Sequence, residues 1–274
     1  MAGSLYVVGT PIGNLSDFSP RAIETLQNCD FIAAEDTRVT LKLLNRFAIK
    51  KPMVSYYEHN RRERGEMILA RIAAGENCAL VTDAGMPAIS DPGEDLVRLC
   101  HMHGVRVESV PGPTAFATAV AVSGLPSGRF TFEGFLSVNK PSRREHLLSL
   151  QNEKRTMVFY EAPHKLLATL RDMLDFFGDR ELALVRELTK LHETVERTTL
   201  RAAVEKYSET APKGEFVLVL AGAPETESAP KTVDDACAYA REQIAAGLSV
   251  NEAAKAAAKW SGIKKSDIYK LLAE

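Results

Sequence analysis

Short apolar runs alternate with longer segments in which apolar residues recur every three or four positions, and the alternation runs through most of the 274-residue chain. Residues 5–8 (LYVV) read as a buried strand ending at Gly9, after which Ser19-Pro20 reads as an N-cap with proline in the first helical position. Residues 31–34 and 53–56 predict two more strands, with a helix over 40–47 between them. In residues 62–74, Met67, Ile68, Ile72 and Ala73 share a helical face, and Gly75 supplies a stop. A strand over 78–81, a helix over 94–103 closed by Gly104, and a strand over 105–110 follow. Strands and helices alternating at this spacing predict a mostly parallel sheet covered on both faces.

From about residue 115 the pattern changes. A small-residue helix over 115–123 leads to a strand over 130–134, and Ser142-Arg-Arg-Glu145 reads as a capping box opening a helix. A strand over 156–160, a helix over 163–177 stopped at Gly178, and strands over 182–185 and 216–220 complete this part. The polar, proline-containing stretch 223–232 reads as a linker, and 233–274 as about three alanine-rich helices broken at Gly247-Leu248-Ser249 and Ser261-Gly262. The expected fold is α/β. It has two α/β lobes, a mostly parallel sheet over residues 1–116 and a mixed sheet over 117–224, followed by a linker and small helical appendage over 225–274.

Composition narrows the class. The hydrophobic fraction of 45% and charged fraction of 26% are those of a folded globular chain. No basic region precedes an apolar leader at the start, and no run of about 18 apolar residues occurs, so a soluble, cytoplasmic protein is expected. Cys29, Cys78, Cys100 and Cys237 are widely spaced and read as buried free thiols. A net charge of −2 argues against coating nucleic acid by bulk electrostatics and leaves local basic clusters open.

Ligands of open α/β sheets sit beyond the carboxyl ends of the strands, and three such ends here carry Gly/Pro-rich turns: GTPIGN, TDAGMPAISDPG and PGPTA. The first is neither a dinucleotide fingerprint nor a phosphate loop. The second, residues 82–93, packs two carboxylates, two glycines and two prolines into twelve residues, a rigid loop suited to positioning a small molecule. Asp91-Pro-Gly also reads as helix entry, which would make Asp91 a cap. In AAEDTR, Glu35, Asp36 and Arg38 end a strand and serve either acid/base and substrate roles or a helix N-terminal charge cluster. In RELTK, Arg186 and Lys190 suit a phosphodiester or sugar, or else a surface ion-pair network. His101 and His103 fit a helix C-terminus, the remaining histidines lack ligand spacing, and no metal is expected. Three basic clusters would either contact phosphate or form solvated faces: Arg61, Arg62 and Arg64; Lys140, Arg143 and Arg144; and Lys264, Lys265 and Lys270 near Trp260 and Tyr269.

As an ordered set, LYVVGTPIGNLSD, AAEDTR, ALVTDAGMPAISDPG, PGPTA, EGFL, FYEAPHKL, RELTKLHET, KGEFVLVLAG and SGIKKSDIYKLL resemble the ribosomal small-subunit methyltransferase I group of the tetrapyrrole (corrin/porphyrin) methylases. The resemblance implies S-adenosyl-L-methionine between two lobes, a homodimer, and 2′-O-methylation of a cytidine in 16S rRNA at the decoding centre of the 30S subunit. It places the cofactor on Pro11, Asp83, Ala84, Gly85, Pro87, Ile89, Pro111, Thr114 and Ala115, with Phe135, Leu136, Leu188 and Gly214 from the second lobe. Pro11-Ile12-Gly13-Asn14 departs from the Gly-x-Gly-Pro-Gly-Asp loop of tetrapyrrole-methylating relatives, and the terminal basic helices resemble a helix-turn-helix appendage. Arg38, Arg186, Lys264 and Lys265 are the candidate substrate-binding side chains.

Methyl transfer from a sulfonium is an in-line displacement, so a protein must align the partners and remove the hydroxyl proton. Glu35, Asp36 and Lys190 are the candidates, the lysine only if its pKa is lowered. The rival readings are methylation of a tetrapyrrole or other small molecule on the same fold, and a non-catalytic RNA-binding assembly factor.

Overall fold

The computed structural model describes residues 2–224 and 232–273, so most of the expected linker lies outside the described residues. Five strands, β1 (Ser4–Val8), β2 (Phe31–Ala34), β3 (Met53–Ser55), β4 (Cys78–Val81) and β5 (Arg106–Val110), form an all-parallel sheet in the order β3-β2-β4-β1-β5. Their side chains alternate between two apolar layers, as the two-residue period of a strand requires. Ile32, Ala34, Ala79 and Val81 meet Ala22 and Leu26 of α1 (Pro20–Asn28) and Leu44 of α2 (Thr37–Arg46). Phe31, Ala33, Cys78 and Leu80 meet Ile68 and Ile72 of α3 (Arg61–Ala73) and Leu96 and Cys100 of α4 (Glu94–Met102).

The second sheet contains β6 (Phe130–Phe135), β7 (Thr156–Glu161), β8 (Glu181–Arg186), β9 (Thr194–Thr199) and β10 (Phe216–Leu220) in the order β6-β7-β10-β8-β9. Only β6 and β7 run parallel, so the sheet is mixed as expected. Phe159, Leu182, Leu184 and Leu218 pack against α6 (Lys140–Ser149), α7 (Pro163–Phe177) and α8 (Leu200–Glu209). Val158, Ala183, Val185 and Val219 pack beneath α5 (Ala115–Ser123), the helix that follows β5. The loop after β1 reaches into this second layer through Ile12.

Four elements depart from the sequence reading. α2 begins at Thr37, ahead of the predicted start, because the Asp36 side chain accepts from the Arg38 amide and caps it. α6 begins at Lys140 under an Asn139 cap, so Ser142 and Glu145 lie inside the helix and form no capping box. β9 and α8 were not predicted; β9 is a polar edge strand, and α8 buries Leu200, Ala203 and Tyr207 beneath a Thr199 cap.

All four cysteines are buried and free. Burial pushes the Cys29 and Cys100 thiols up to about 11, so they stay protonated and unreactive at neutral pH. The chain divides into two compact units, 1–223 and 224–274. The second contains α9 (Val233–Ala245), α10 (Val250–Ser261) and α11 (Lys265–Ala273), packed through Ala236, Ala240, Ala253, Ala257 and Ile268. Ser249 and Glu252 form a reciprocal capping box, and Tyr239 stacks on Trp260 at 4.7 Å. Among the described residues no helix is long and apolar enough to cross a membrane.

The turns after β1 and β5 touch backbone to backbone. A side chain at Gly112 would lie 2.8 Å from the Gly9 Cα, and one at Gly9 would lie 2.6 Å from the Gly112 Cα. Backbone has no rotamer with which to move aside. Gly112→Ala should therefore cost about 1–3 kcal/mol of unfolding free energy, the scale of overpacking in a rigid site. Denaturant melts check this, and an unchanged midpoint would contradict the contact.

Candidate functional site

The strand order puts the carboxyl ends of β2, β4, β1 and β5 side by side. AAEDTR, TDAGMPAISDPG, GTPIGN and PGPTA therefore emerge along one edge, where an open α/β sheet binds its ligand. Thr10 and Gly85 bridge two of these loops, the Thr10 amide donating to the Gly85 carbonyl at 2.9 Å and the Gly85 amide to the Thr10 carbonyl at 3.1 Å. The buried Thr10 hydroxyl donates to the Thr82 carbonyl at 3.1 Å. Ala88 holds φ at +65°, a strained value for a residue with a Cβ, within the loop that the sequence marked as rigid.

Between this edge and the second sheet lies a cavity of about 590 Å³. That size suits a small organic ligand. Of the cofactor residues implied by the resemblance, Asp83, Ala84, Gly85, Ile89, Thr114 and Ala115 line it from the first lobe, and Phe135 and Leu188 from the second. Pro11, Pro87, Pro111, Leu136 and Gly214 are not in its lining. Leu136 is buried in the core of the second lobe, and Gly214 lies against the Glu187 side chain. The cavity also takes in Asp91, read from the sequence as a loop carboxylate or a cap, and residues given no individual ligand role there: Ile12, Met86, Ser90, Phe116, Val185, and the stretches 160–164 and 215–217. FYEAPHKL carried the signal for 160–164, the junction of β7 and α7, but no roles were assigned within it.

Five carboxylates line this cavity, Glu35, Asp83 and Asp91 from the first lobe and Glu161 and Glu215 from the second. The Thr82 hydroxyl donates to Glu35 at 2.5 Å, the Asp83 amide to Glu35 at 3.3 Å, and the Asp36 amide to Asp83 at 3.2 Å. Burial, reinforced by the Glu35 charge, raises the Asp83 pKa. Burial raises Asp91 further, to about 6, with Glu35 adding to the effect. The expectation that Asp91 caps the following helix is corrected: α4 starts after Gly93 and has no side-chain cap, so Asp91 is free to face the cavity.

Of the acid/base candidates, only Glu35 is in the cavity lining. Asp36 caps α2 and binds Arg38 in an ion pair at 2.6 Å, and the Arg38 hydrogen bonds hold its pKa near 2. The Arg38 side chain itself is 87% exposed. The Lys190 ammonium sits 2.9 Å from Glu187 and 2.7 Å from Glu215. Burial alone would lower its pKa, but hydrogen bonds to Glu215 and Glu187 outweigh that and raise it. Such a lysine remains a cation, contrary to the lowered pKa a base role requires. Its stem lies over the loop after β1, where a side chain at Gly13 would stand 2.7 Å from the Lys190 Cγ.

Arg186 donates to the Thr194 hydroxyl at 3.2 Å. In the second unit, Lys264 and Lys265 are exposed where α11 begins. Among the described residues no group of three or more His, Cys, Asp or Glu is placed to hold a metal ion.

Residues 4–204 match the family of tetrapyrrole (corrin/porphyrin) methylases. The chain is 47% identical to a ribosomal RNA small subunit methyltransferase I of Synechocystis sp., over 99% of its own length and 98% of that protein. It is 50% identical over 220 residues to the protein of the same name from Thermotoga maritima, covering 80% of this chain and 99% of that one. Uroporphyrin-III C-methyl transferase from Thermus thermophilus, complexed with S-adenyl homocysteine, shares the fold at a TM-score of 0.53 and 19% identity, over 79% of this chain and 97% of that one. The family match across both sheets, joined to near-full-length identity of this size, means that the chain belongs to the tetrapyrrole (corrin/porphyrin) methylases, within their ribosomal RNA small subunit methyltransferase I family.

Proposed function

We propose that this protein transfers a methyl group from S-adenosylmethionine to small-subunit ribosomal RNA, at the ribose 2′-hydroxyl of a cytidine of 16S rRNA in the decoding centre. The observation that carries the reading is the carboxylate-lined cavity at the sheet edge, in a chain whose relatives are named ribosomal RNA small subunit methyltransferase I. The residues present fit the methyl donor. Ile89 and Phe135 expose apolar surface to the cavity, which suits an adenine ring, and Glu35, Asp83 and Asp91 suit a ligand bearing sulfonium and ammonium charges. Asp83, Ala84, Gly85, Thr114, Ala115 and Leu188 would hold it. When bound, the cofactor supplies an electrophilic methyl carbon.

The chain's own task is to fix geometry and accept a proton. The Thr10–Gly85 bridge and the Gly9–Gly112 contact keep the three strand-end loops in place. Glu35 and Asp91 take the proton-accepting role, Asp91 because a carboxylate titrating near 6 is a stronger base than an ordinary one. Asp36 and Lys190, proposed from the sequence for the same role, instead hold α2 and the Glu187–Glu215 side of the site. Arg38, Arg186, Lys264 and Lys265 remain candidates for RNA phosphate contacts. The resemblance further supports a cytoplasmic homodimer acting on the 30S subunit.

Incubation with radiolabelled cofactor and either 30S subunits or tetrapyrroles should place alkali-stable label in 16S rRNA. Label in tetrapyrrole alone would favour the small-molecule reading, and absence of cofactor binding the assembly-factor reading.

The raised Asp91 pKa has a defined sign. Activity should rise with pH through a limb near 6, and Asp91→Asn should remove that limb and lower kcat by about 100-fold or more. Because the pKa is raised, the favourable contribution of the protonated group to folding is lost as pH climbs from the ordinary carboxylate range through about 6. Asp91→Asn should therefore melt higher than the wild type at pH 8, with the gain vanishing near pH 3. A variant that keeps the limb would remove Asp91 from the mechanism.

A further inference from the structure

A second concavity, about 620 Å³, lies between α6 and α7 in the outer layer of the second lobe. Lys140, Arg143, Arg144 and Lys165 line it with a single carboxylate, Asp172. That carboxylate is already satisfied, since Arg143 binds it at 2.6 Å. Three cations therefore face the groove with no carboxylate of its lining left for them, in a chain whose net charge is −2. Lys140, Arg144 and Lys165 are exposed. The floor and rim are apolar: the Arg144 guanidinium stands over the Phe176 ring at 5.4 Å, and Val138 is 77% exposed.

Two chain segments run from the cavity wall to the groove. On one side β6 ends at Phe135, 61% exposed in the cavity wall, and Ser137 and Val138 then line the groove. On the other side Pro163 and His164 of the first turn of α7 line the cavity, whereas Lys165 and Ala168 line the groove. A partly buried chain of polar contacts ties the two together. Arg143 donates to the Thr169 hydroxyl at 2.9 Å, Thr169 donates to Glu161 of the cavity wall, and Glu161 accepts from the Ala162 amide at 2.9 Å.

We infer that the α6–α7 groove holds the single-stranded RNA flanking the nucleotide that enters the cavity, Lys140, Arg144 and Lys165 contacting phosphates and the Phe176–Val138 surface contacting base faces. Cations interleaved with an aromatic platform are the chemistry of single-strand tracks, where phosphate neutralisation supplies affinity and stacking tolerates any base. A target inside a structured RNA must also be splayed out to reach a cavity, so its neighbours need a surface beside the mouth. The assignment rests on the proposed RNA substrate.

The test is the Arg144→Glu/Lys165→Glu double variant, with Arg46→Glu/Lys50→Glu at the opposite edge of the first sheet as control. S-adenosylhomocysteine titration and thermal melts should match the wild type. The KM for the small-subunit RNA substrate should rise about 10-fold or more, with kcat within about twofold, and the slope of log affinity against log salt should shrink by roughly 1.4, or 0.7 for each lost single-strand phosphate contact. The control should leave KM unchanged. If charge reversal unfolds the protein, Lys140→Gln/Lys165→Gln carries the same test. Wild-type methylation of RNA together with an unchanged KM and salt slope in the folded variant overturns the groove assignment alone, as does an equal KM rise in the control. Failure of the wild type to methylate any RNA overturns the proposed function and the groove with it.

Discussion

Thr10 and Gly85 exchange both backbone hydrogen bonds, at 2.9 and 3.1 Å, and so fasten the loop after β1 to the loop after β4. Because β1 lies between β4 and β5, the same stretch of chain also meets the turn after β5, where Gly9 and Gly112 allow backbones to touch. The loops after β1, β4 and β5 are joined by these contacts, and Glu35 after β2 joins them through Thr82 and Asp83. Ile12 extends the arrangement into the core of the second lobe, and Lys190 closes over Gly13 from the other side. The site is thus positioned by main chain on a rigid sheet, which is the preorganisation a displacement reaction needs.

Holding Glu35, Asp83 and Asp91 together on the first-lobe side of an apolar cavity opposes stability, and the raised pKa values of Asp83 and Asp91 are the measure of that opposition. A chain selected only for folding would neutralise or pair these groups, as it does at Asp36 with Arg38 and at Glu153 with Arg155. The contrast separates groups that hold the structure from groups kept available for a ligand. By the same measure Lys190, clasped by two glutamates, belongs with the former.

Much of this was legible in the sequence because β2, β4 and β10 are unbroken apolar runs, the signature of strands buried on both faces. The three Gly/Pro-rich strand ends were legible for the same reason. Their adjacency came only through the family resemblance, since the order β3-β2-β4-β1-β5 depends on crossovers that no local pattern encodes. β9 escaped because an edge strand with one solvated face reads TVERTT, without the apolar run that betrays its neighbours. Asp91 read equally as a cap because Asp-Pro-Gly before a helix is a common entry signal, whereas here the chain turns through Gly93 before α4 begins. Tyr160, Glu161 and His164 reach the site only through the tertiary apposition of the second lobe.

In the proposed function the loop after β4 is the wall that holds the methyl donor, and Asp83 is its committed side chain. Calorimetric titration of S-adenosylhomocysteine into the Asp83→Ala protein tests this most directly. Loss of one charged contact predicts affinity about 10- to 100-fold weaker than wild type, with the melting transition retained. Unaltered affinity in a folded variant would contradict it.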